Sequence, residues 1–263
     1  LTVPNMVQTT IPDHFLFSTR YYIPILKKAM PKTRPMDQVP LSPLQPQEDE
    51  FALMRMGSES PLERLIFPSG GHYFLRGYDA YIPGGKKLVT WKNNLSTFYR
   101  KITLLEGKQI VSKNPYHTMR MELLAEMFPG AKFIHITRDP MVVVPSTIRM
   151  WNIIARENKL KRSWTGPSIS EAASVLRSYL DHVAVCRKKL DNPVVEVRFE
   201  KLEENPMEIL KQLYTQLDLP WTAGLEAALT SFLEASGGYE KNIYTLSEED
   251  QNMIRTICGS SLK

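Results

Sequence analysis

The stretch Lys132-Phe133-Ile134-His135-Ile136-Thr137-Arg138-Asp139-Pro140 decides the fold class. Its first six residues are rich in β-branched and aromatic side chains, the composition of a strand. Asp139 then offers a side-chain oxygen to cap a helix. Pro140 fits the first helical position, where the missing N–H leaves nothing unpaired. A strand thus hands over to a helix within two residues. The same alternation extends in both directions. Upstream, Met119, Leu123, Leu124 and Met127 mark a helix that stops at Phe128-Pro129-Gly130, and Gln109-Ile110-Val111-Ser112-Lys113 reads as a short strand stopped by Asn114-Pro115. Downstream, a helix is expected over 170–189, with Ala172, Leu176, Leu180, Val183 and Arg187 on related faces. Pro193-Val194-Val195-Glu196-Val197-Arg198 reads as a third strand, and two helices follow, over Pro206 to Leu217 and Ala223 to Leu233. This alternation predicts an α/β fold, with a central parallel sheet between helical layers.

The N-terminal part is less regular. His14, Phe15, Phe17, Tyr21, Tyr22, Ile25 and Leu26 read as a helix ending near Ala29-Met30-Pro31. Prolines at 31, 35, 40, 43 and 46 then forbid a helix and predict an extended, ordered loop or lid. Gln47-Glu48-Asp49-Glu50-Phe51 resumes as a helix start, since carboxylates favour a first turn. Residues 69–88 carry Gly70-Gly71 and Pro83-Gly84-Gly85 and read as a loop, after which Trp91, Leu95, Phe98 and Ile102 follow helical spacing.

Composition excludes several classes. The chain has 263 residues, 43% hydrophobic and 23% charged, so it is globular in character and long enough to bury a core without staples. Its two cysteines, Cys186 and Cys258, make neither a disulfide framework nor a C-x-x-C motif. No apolar run approaches a membrane span, and no secretory signal opens the chain, which starts with Leu1 rather than Met. A cytoplasmic protein, with a place at the membrane periphery left open, is expected. The formal charge of +5 comes from scattered pairs such as Lys27-Lys28 and Lys86-Lys87, which suits an anionic small ligand better than nucleic acid. His14, His72, His135 and His182 form no i,i+4 histidine pair, and no metal site is expected.

Ligands of parallel sheets bind beyond the carboxyl ends of the strands. Lys113, Arg138 and Arg198 stand at the ends of the three expected strands. Arginine can fork two oxygens of a phosphate or sulfate, and lysine adds a point charge. Ser146, eight residues after Arg138, can donate to the same anion; the plainer alternative is a local Arg138–Asp139 ion pair and a surface serine.

The run Lys113-Asn114-Pro115-Tyr116-His117-Thr118-Met119-Arg120, the stretch from Phe128 to Pro140 and Ser146 together resemble the sulfotransferases that use 3′-phosphoadenosine 5′-phosphosulfate (PAPS). Arg34-Pro35-Met36-Asp37 and Pro46-Gln47-Glu48-Asp49-Glu50-Phe51-Ala52-Leu53 resemble a bacterial-type branch, and the likeness runs from about residue 30 to 250. The resemblance implies the three-layer, P-loop-like sulfotransferase fold as a single domain over 1–263, with PAPS as co-substrate and no metal. It implies that Arg138 and Ser146 hold the 3′-phosphate and that Phe199, in Arg198-Phe199-Glu200, lies by the adenine. It further implies that Lys241 and Asn242, in Tyr239-Glu240-Lys241-Asn242, belong to a loop closing over the nucleotide. Three features depart from the family pattern. Phe199 lacks the usual tyrosine hydroxyl, and no Arg-Lys-Gly precedes the late loop. No Ser-Gly-Thr-Thr-like phosphosulfate loop occurs either; Gly84-Gly85-Lys86-Lys87 reads as a plain turn. The family order would put that loop before Leu1, so a chain lacking its first strand, loop and helix is expected.

Sulfuryl transfer needs a base for the acceptor and a cation for the leaving oxygen. The resemblance makes Lys113 the cation. Glu48, Glu50 and His117 are the candidate bases, and the spacing of Glu48 and Glu50 lets only one of them point inward. The acceptor is a hydroxyl or amine on a small molecule, lipid or glycan. The N-terminal aromatics, the proline-rich loop and residues around Tyr73 to Tyr81 are candidate walls for it. Two other readings compete. A scaffold could keep the fold without catalysis. A P-loop kinase-like enzyme is disfavoured because no G-x-x-x-x-G-K-[ST] run occurs.

Overall fold

The alternation of strand and helix around Lys132–Pro140 is present in the structure, a computed structural model that describes residues 1–34, 39–63, 82–158, 166–235 and 242–259. The chain falls into two compact units, one of Leu1–Arg120 with Arg149–Pro167, the other of Met121–Ile148 with Ser168–Lys263.

In the first unit, α1 (Met6–Thr10) starts from a reciprocal cap between Asn5 and Gln8. Helix α2 spans Phe15–Ala29, α3 spans Glu50–Arg55, and α4 spans Gly85–Glu106. The expected helical face of α4 is its core face: Trp91, Leu95, Phe98 and Ile102 are all fully buried. Phe15 meets Phe98 edge-on at 6.0 Å, and Ala52 and Ile102 complete the cluster. Gly107 ends α4 in the left-handed region at φ 61°, where a side chain would be strained. The proline-rich segment is ordered by backbone bonds, Leu41 to Lys32 at 2.9 Å and Met6 to Gln45 at 3.1 Å; its residues 35–38 lie outside the described set.

The expected strand at 109–113 does not form. Only one parallel bridge joins Ile110 to Thr2, through Thr2 N–H to Gln109 O (2.8 Å) and Val111 N–H to Thr2 O (2.7 Å). The next rung would need an N–H at residue 4, which is proline. The segment stays extended without a ladder, and a 3₁₀ turn follows at Pro115–Arg120.

In the second unit, α5 (Met121–Met127) leads to β1 (Phe133–Thr137), and α6 (Pro140–Asn158) crosses from this unit into the first. Helix α7 (Ile169–Lys189) returns the chain to β2 (Val194–Arg198). The two strands pair in parallel, from Phe133↔Val194 to Thr137↔Arg198. Side chains of opposite parity on β2 meet different helices. Val194 joins Phe133, Val183 and Cys186, while Val195 and Val197 join Leu213 and Leu217. The fold is therefore α/β, mostly helical, with a small parallel sheet. Short α8 (Phe199–Glu204) follows β2 directly, then α9 (Pro206–Gln216), α10 (Ala223–Ala235) and α11 (Glu248–Cys258). Ile254 and Cys258 of α11 pack on Val144, Ala172 and Ala173. Among the described residues, no helix is long and apolar enough to cross a membrane.

Candidate active site

Glu48, Asp49 and Glu50 enter and begin α3, and the side chains that bind them come from 99–120 and from Ser60. Asn114 turns the chain by accepting the Tyr116 N–H on its own Oδ1 at 3.0 Å. The 3₁₀ turn that follows has three residues per turn, so positions three apart line up on one edge. Asn114, His117 and Arg120 therefore face the same way, toward the carboxylates.

Asp49 is the hub. Its side chain is fully buried, and Oδ1 accepts from Asn114 Nδ2 at 2.7 Å. Its Oδ2 accepts from Ser112 Oγ at 2.6 Å and from the Tyr99 hydroxyl, and lies 3.1 Å from His117 Nε2. Burial alone pushes this carboxyl up. The His117 charge and hydrogen bond, with those of Ser112 and Tyr99, outweigh burial and hold it well below the usual carboxylate range. The Tyr99 phenol moves the other way, raised by its burial and by the Asp49 charge.

Glu50 is also fully buried and has no oxygen to spare. Arg120 grips both oxygens, at 2.6 and 3.2 Å, while Ser60 Oγ adds 2.8 Å and Asn114 Nδ2 adds 2.9 Å. The Arg120 guanidinium lies 4.9 Å from the centre of the Trp91 ring, and that ring meets His117 edge-on at 6.3 Å. Glu48 is different. It sits at the rim, 23% exposed, in an ion pair with Lys113, whose side chain is 78% exposed. Glu50 points inward and Glu48 to the rim, and the residue between them, passed over in the sequence reading, is held by four residues against the three that hold Glu50. Its signal was the i, i+3, i+6 spacing Asn114, His117, Arg120 ahead of a helix. His117 keeps Nε2 on Asp49, and its buried Nδ1 has no hydrogen-bond partner among the described residues.

The second unit holds the other expected site residues. The parallel register Thr137↔Arg198 continues past the strand ends, bringing Arg138 beside Phe199 and Asp139 beside Glu200. The Arg138 guanidinium lies 4.5 Å from the centre of the Phe199 ring, and Asp139 N–H donates to Glu200 Oε1 at 2.9 Å. Among the described residues Arg138 makes no hydrogen bond or close ion pair, so the Arg138–Asp139 ion pair is absent and Asp139 instead caps α6 through Met141 N–H at 2.8 Å. Ser146 is half-buried on α6. Asn242 is exposed in a stretch with neither helix nor strand, and Lys241 lies outside the described residues. Gly84-Gly85 caps and opens α4, as a turn would. A histidine and a cysteine at i,i+4 on α7 escaped the histidine-only reading: His182 Nε2 lies 3.3 Å from Cys186 Sγ, and Glu122 joins them. The Lys189 ammonium pairs with Glu122, and burial drives the Cys186 thiol up to about 11, so the trio is a neutral thiol–imidazole contact beside a neutralised carboxylate.

Residues 25–223 match the sulfotransferase family. The chain belongs to that family. At 32% identity over 261 residues it is similar to the omega-hydroxy-beta-dihydromenaquinone-9 sulfotransferase Stf3 of Mycobacterium bovis and of Mycobacterium tuberculosis. That alignment covers 96% of this chain and 65% of each relative, so the chain spans about two thirds of their length. The crystal structure of sulfotransferase STF9 from Mycobacterium avium shares the fold, with a TM-score of 0.74 at 14% identity over 97% of this chain and 68% of that one.

Proposed function

We propose that this sulfotransferase-family chain carries the chemical centre of a PAPS-dependent enzyme that sulfates a hydroxyl on an apolar, isoprenoid-like acceptor. Family membership supports the reaction class, and the menaquinone-type substrate in the relatives' name supports the acceptor class. The family's three-layer, P-loop-like architecture belongs to the same proposal, supported by helices on both sides of β2.

The observation that carries the reading is the division of labour among the three consecutive carboxylates. Two are buried and saturated; one is at the rim beside a lysine. In the proposed reaction Glu48 takes the proton from the acceptor hydroxyl as its oxygen forms a bond to sulfur. The bond between sulfur and the bridging phosphate oxygen breaks, and the Lys113 ammonium neutralises the charge arriving on that oxygen. The Lys113 ammonium lies against the Glu48 carboxylate before substrate enters. Glu50, gripped by Arg120, fixes the start of α3 and so the direction in which Glu48 leaves the chain. Asp49 holds His117 and the segment that carries Lys113.

Arg138, Ser146, Phe199, Lys241 and Asn242 make up the proposed nucleotide contacts. The guanidinium of Arg138, without a protein hydrogen bond among the described residues, has all its donors available to a 3′-phosphate, and Phe199 beneath it offers an apolar ring to adenine without a hydroxyl. The test is a thermal shift with 3′-phosphoadenosine 5′-phosphate against AMP. The bisphosphate should stabilise the chain more, and Arg138→Ala should remove the difference. Equal stabilisation by both nucleotides would overturn the assignment of Arg138 and Ser146.

A further inference from the structure

Helix α2 carries apolar residues on both its buried and its exposed side. Its residues Phe15, Tyr22, Ile23 and Leu26 turn one way. At 100° per residue, Phe17, Tyr21, Pro24, Ile25 and Lys28 share an opposite arc of about 100°. Phe15 is fully buried against Phe98 and fastens the helix to the core that also holds Ala52 of α3. The opposite arc faces water: Phe17 is 85% exposed, Tyr21 58% and Ile25 59%. Isolated exposed apolar residues are ordinary, whereas an aromatic and aliphatic stripe along a fastened helix marks a surface made to be covered. Within α2 the charges are all of one sign, and the exposed Asp13 just before the helix faces Lys101 at 3.8 Å. Arg20, Lys27 and Lys28 are exposed, and α2 has no aspartate or glutamate. The Arg20 guanidinium folds over the Tyr21 ring at 4.6 Å, joining cation and apolar surface in one patch.

We infer that the exposed face of α2 is a docking surface for an anionic lipid membrane, with Phe17, Tyr21 and Ile25 entering the interface and Arg20, Lys27 and Lys28 meeting lipid phosphates. An apolar stripe on a helix that carries cations and no acid of its own complements that surface in both its parts. A second copy of the chain would bring the same three cations against each other. The inference goes beyond the proposed sulfuryl transfer and stands apart from it, since docking needs neither nucleotide nor turnover. It gives an enzyme of an apolar, membrane-held acceptor a place to work.

Co-sedimentation of the 263-residue chain with phosphatidylcholine vesicles, with and without phosphatidylglycerol, tests it. The chain should bind the anionic vesicles, bind the neutral ones much less, and be released by high salt. Lys27→Glu with Lys28→Glu should weaken binding at least about twenty-five-fold, roughly five-fold per basic residue. Phe17→Ser with Ile25→Ser should weaken it at least about ten-fold. These positions are on the surface, and unchanged circular dichroism separates lost docking from lost fold. Absence of vesicle binding, or equal binding by the chain and both variants, would overturn the inference. So would a lipid-free dimer in sedimentation velocity that Phe17→Ser abolishes, because the face would then belong to a second copy.

Discussion

Replacing Arg120 by methionine should strand a charge in the core of the first unit. The side chains of Arg120 and Glu50 are 1% and 0% exposed, and the two bonds between them measure 2.6 and 3.2 Å. Methionine keeps the apolar contact with Trp91 but leaves the Glu50 carboxylate, among the described residues, with Ser60 and Asn114 as donors. Removing one partner of a buried ion pair costs about 3–5 kcal/mol. The two remaining donors favour the lower part of that range, and loss of the cation over the Trp91 ring adds about 1 kcal/mol. The expected loss is therefore about 4 kcal/mol, which at 1.4 kcal/mol per decade is roughly a thousand-fold fall in protection of the slowest amides. Native-state hydrogen exchange of α3 and α4 reads this within the unit concerned. The companion variant Arg120→Met with Glu50→Gln removes the stranded charge and should recover at least about 2 kcal/mol of the loss. Less than about five-fold loss of protection in Arg120→Met, or no recovery in the double variant, would refute the argument that this pair is a buried anchor.

The Asp49 carboxyl, held below the usual range, contributes stability that is fully present above its ordinary value of 3.8 and is lost as pH falls through its lowered folded value. Denaturant midpoints of the native chain should therefore drop steeply below about pH 4, and Asp49→Asn should be less stable at pH 7 and flatter in acid; equal acid slopes for both would contradict the hub. Cys186 and Cys258 are fully buried, with the Cys186 thiol pushed up to about 11 and that of Cys258 raised as well, so neither should react with a disulfide reagent at pH 8 until the chain is unfolded. Rapid labelling of either cysteine in the native chain would count against that burial.

The elements that were legible in the sequence are those whose signals are local. Asp139-Pro140 announced α6, the four-residue stripe from Trp91 to Ile102 announced α4, and the apolar runs at 133 and 194 announced both strands. The expected strand at 109–113 failed for a reason outside the segment: a strand is defined by its neighbour, and this neighbour turns to proline after one rung. Two local signals were overlooked, the Ser168/Glu171 capping box of α7 and the Ser247 cap of α11. The candidate site divides in the same way. Lys113, Arg138 and Ser146 came first from their places at and after the strand ends, and motif resemblance gave them their roles and brought Glu48 forward. Asp49 was passed over, because three carboxylates in a row look like ordinary decoration of a helix start. Its burial is set by Tyr99, Ser112, Asn114 and His117, which lie 50 to 68 positions away. A contact pattern of that span has no periodicity for a sequence window to detect. Phe199 over Arg138 was equally a product of strand register, visible only once Thr137 and Arg198 were paired.

Glu48 is the proposed proton acceptor, at the rim of a buried carboxylate cluster with Lys113 beside it. Transfer of labelled sulfate from PAPS to an omega-hydroxylated isoprenoid quinone, measured for the protein and its Glu48→Gln variant together with the affinity of each for 3′-phosphoadenosine 5′-phosphate, tests that directly. Loss of a general base lowers turnover by about 10²–10⁴-fold, and the nucleotide affinity should stay within about three-fold. Undiminished turnover in Glu48→Gln, with the nucleotide still bound, would contradict the central claim and return the role of base to Glu50 or His117.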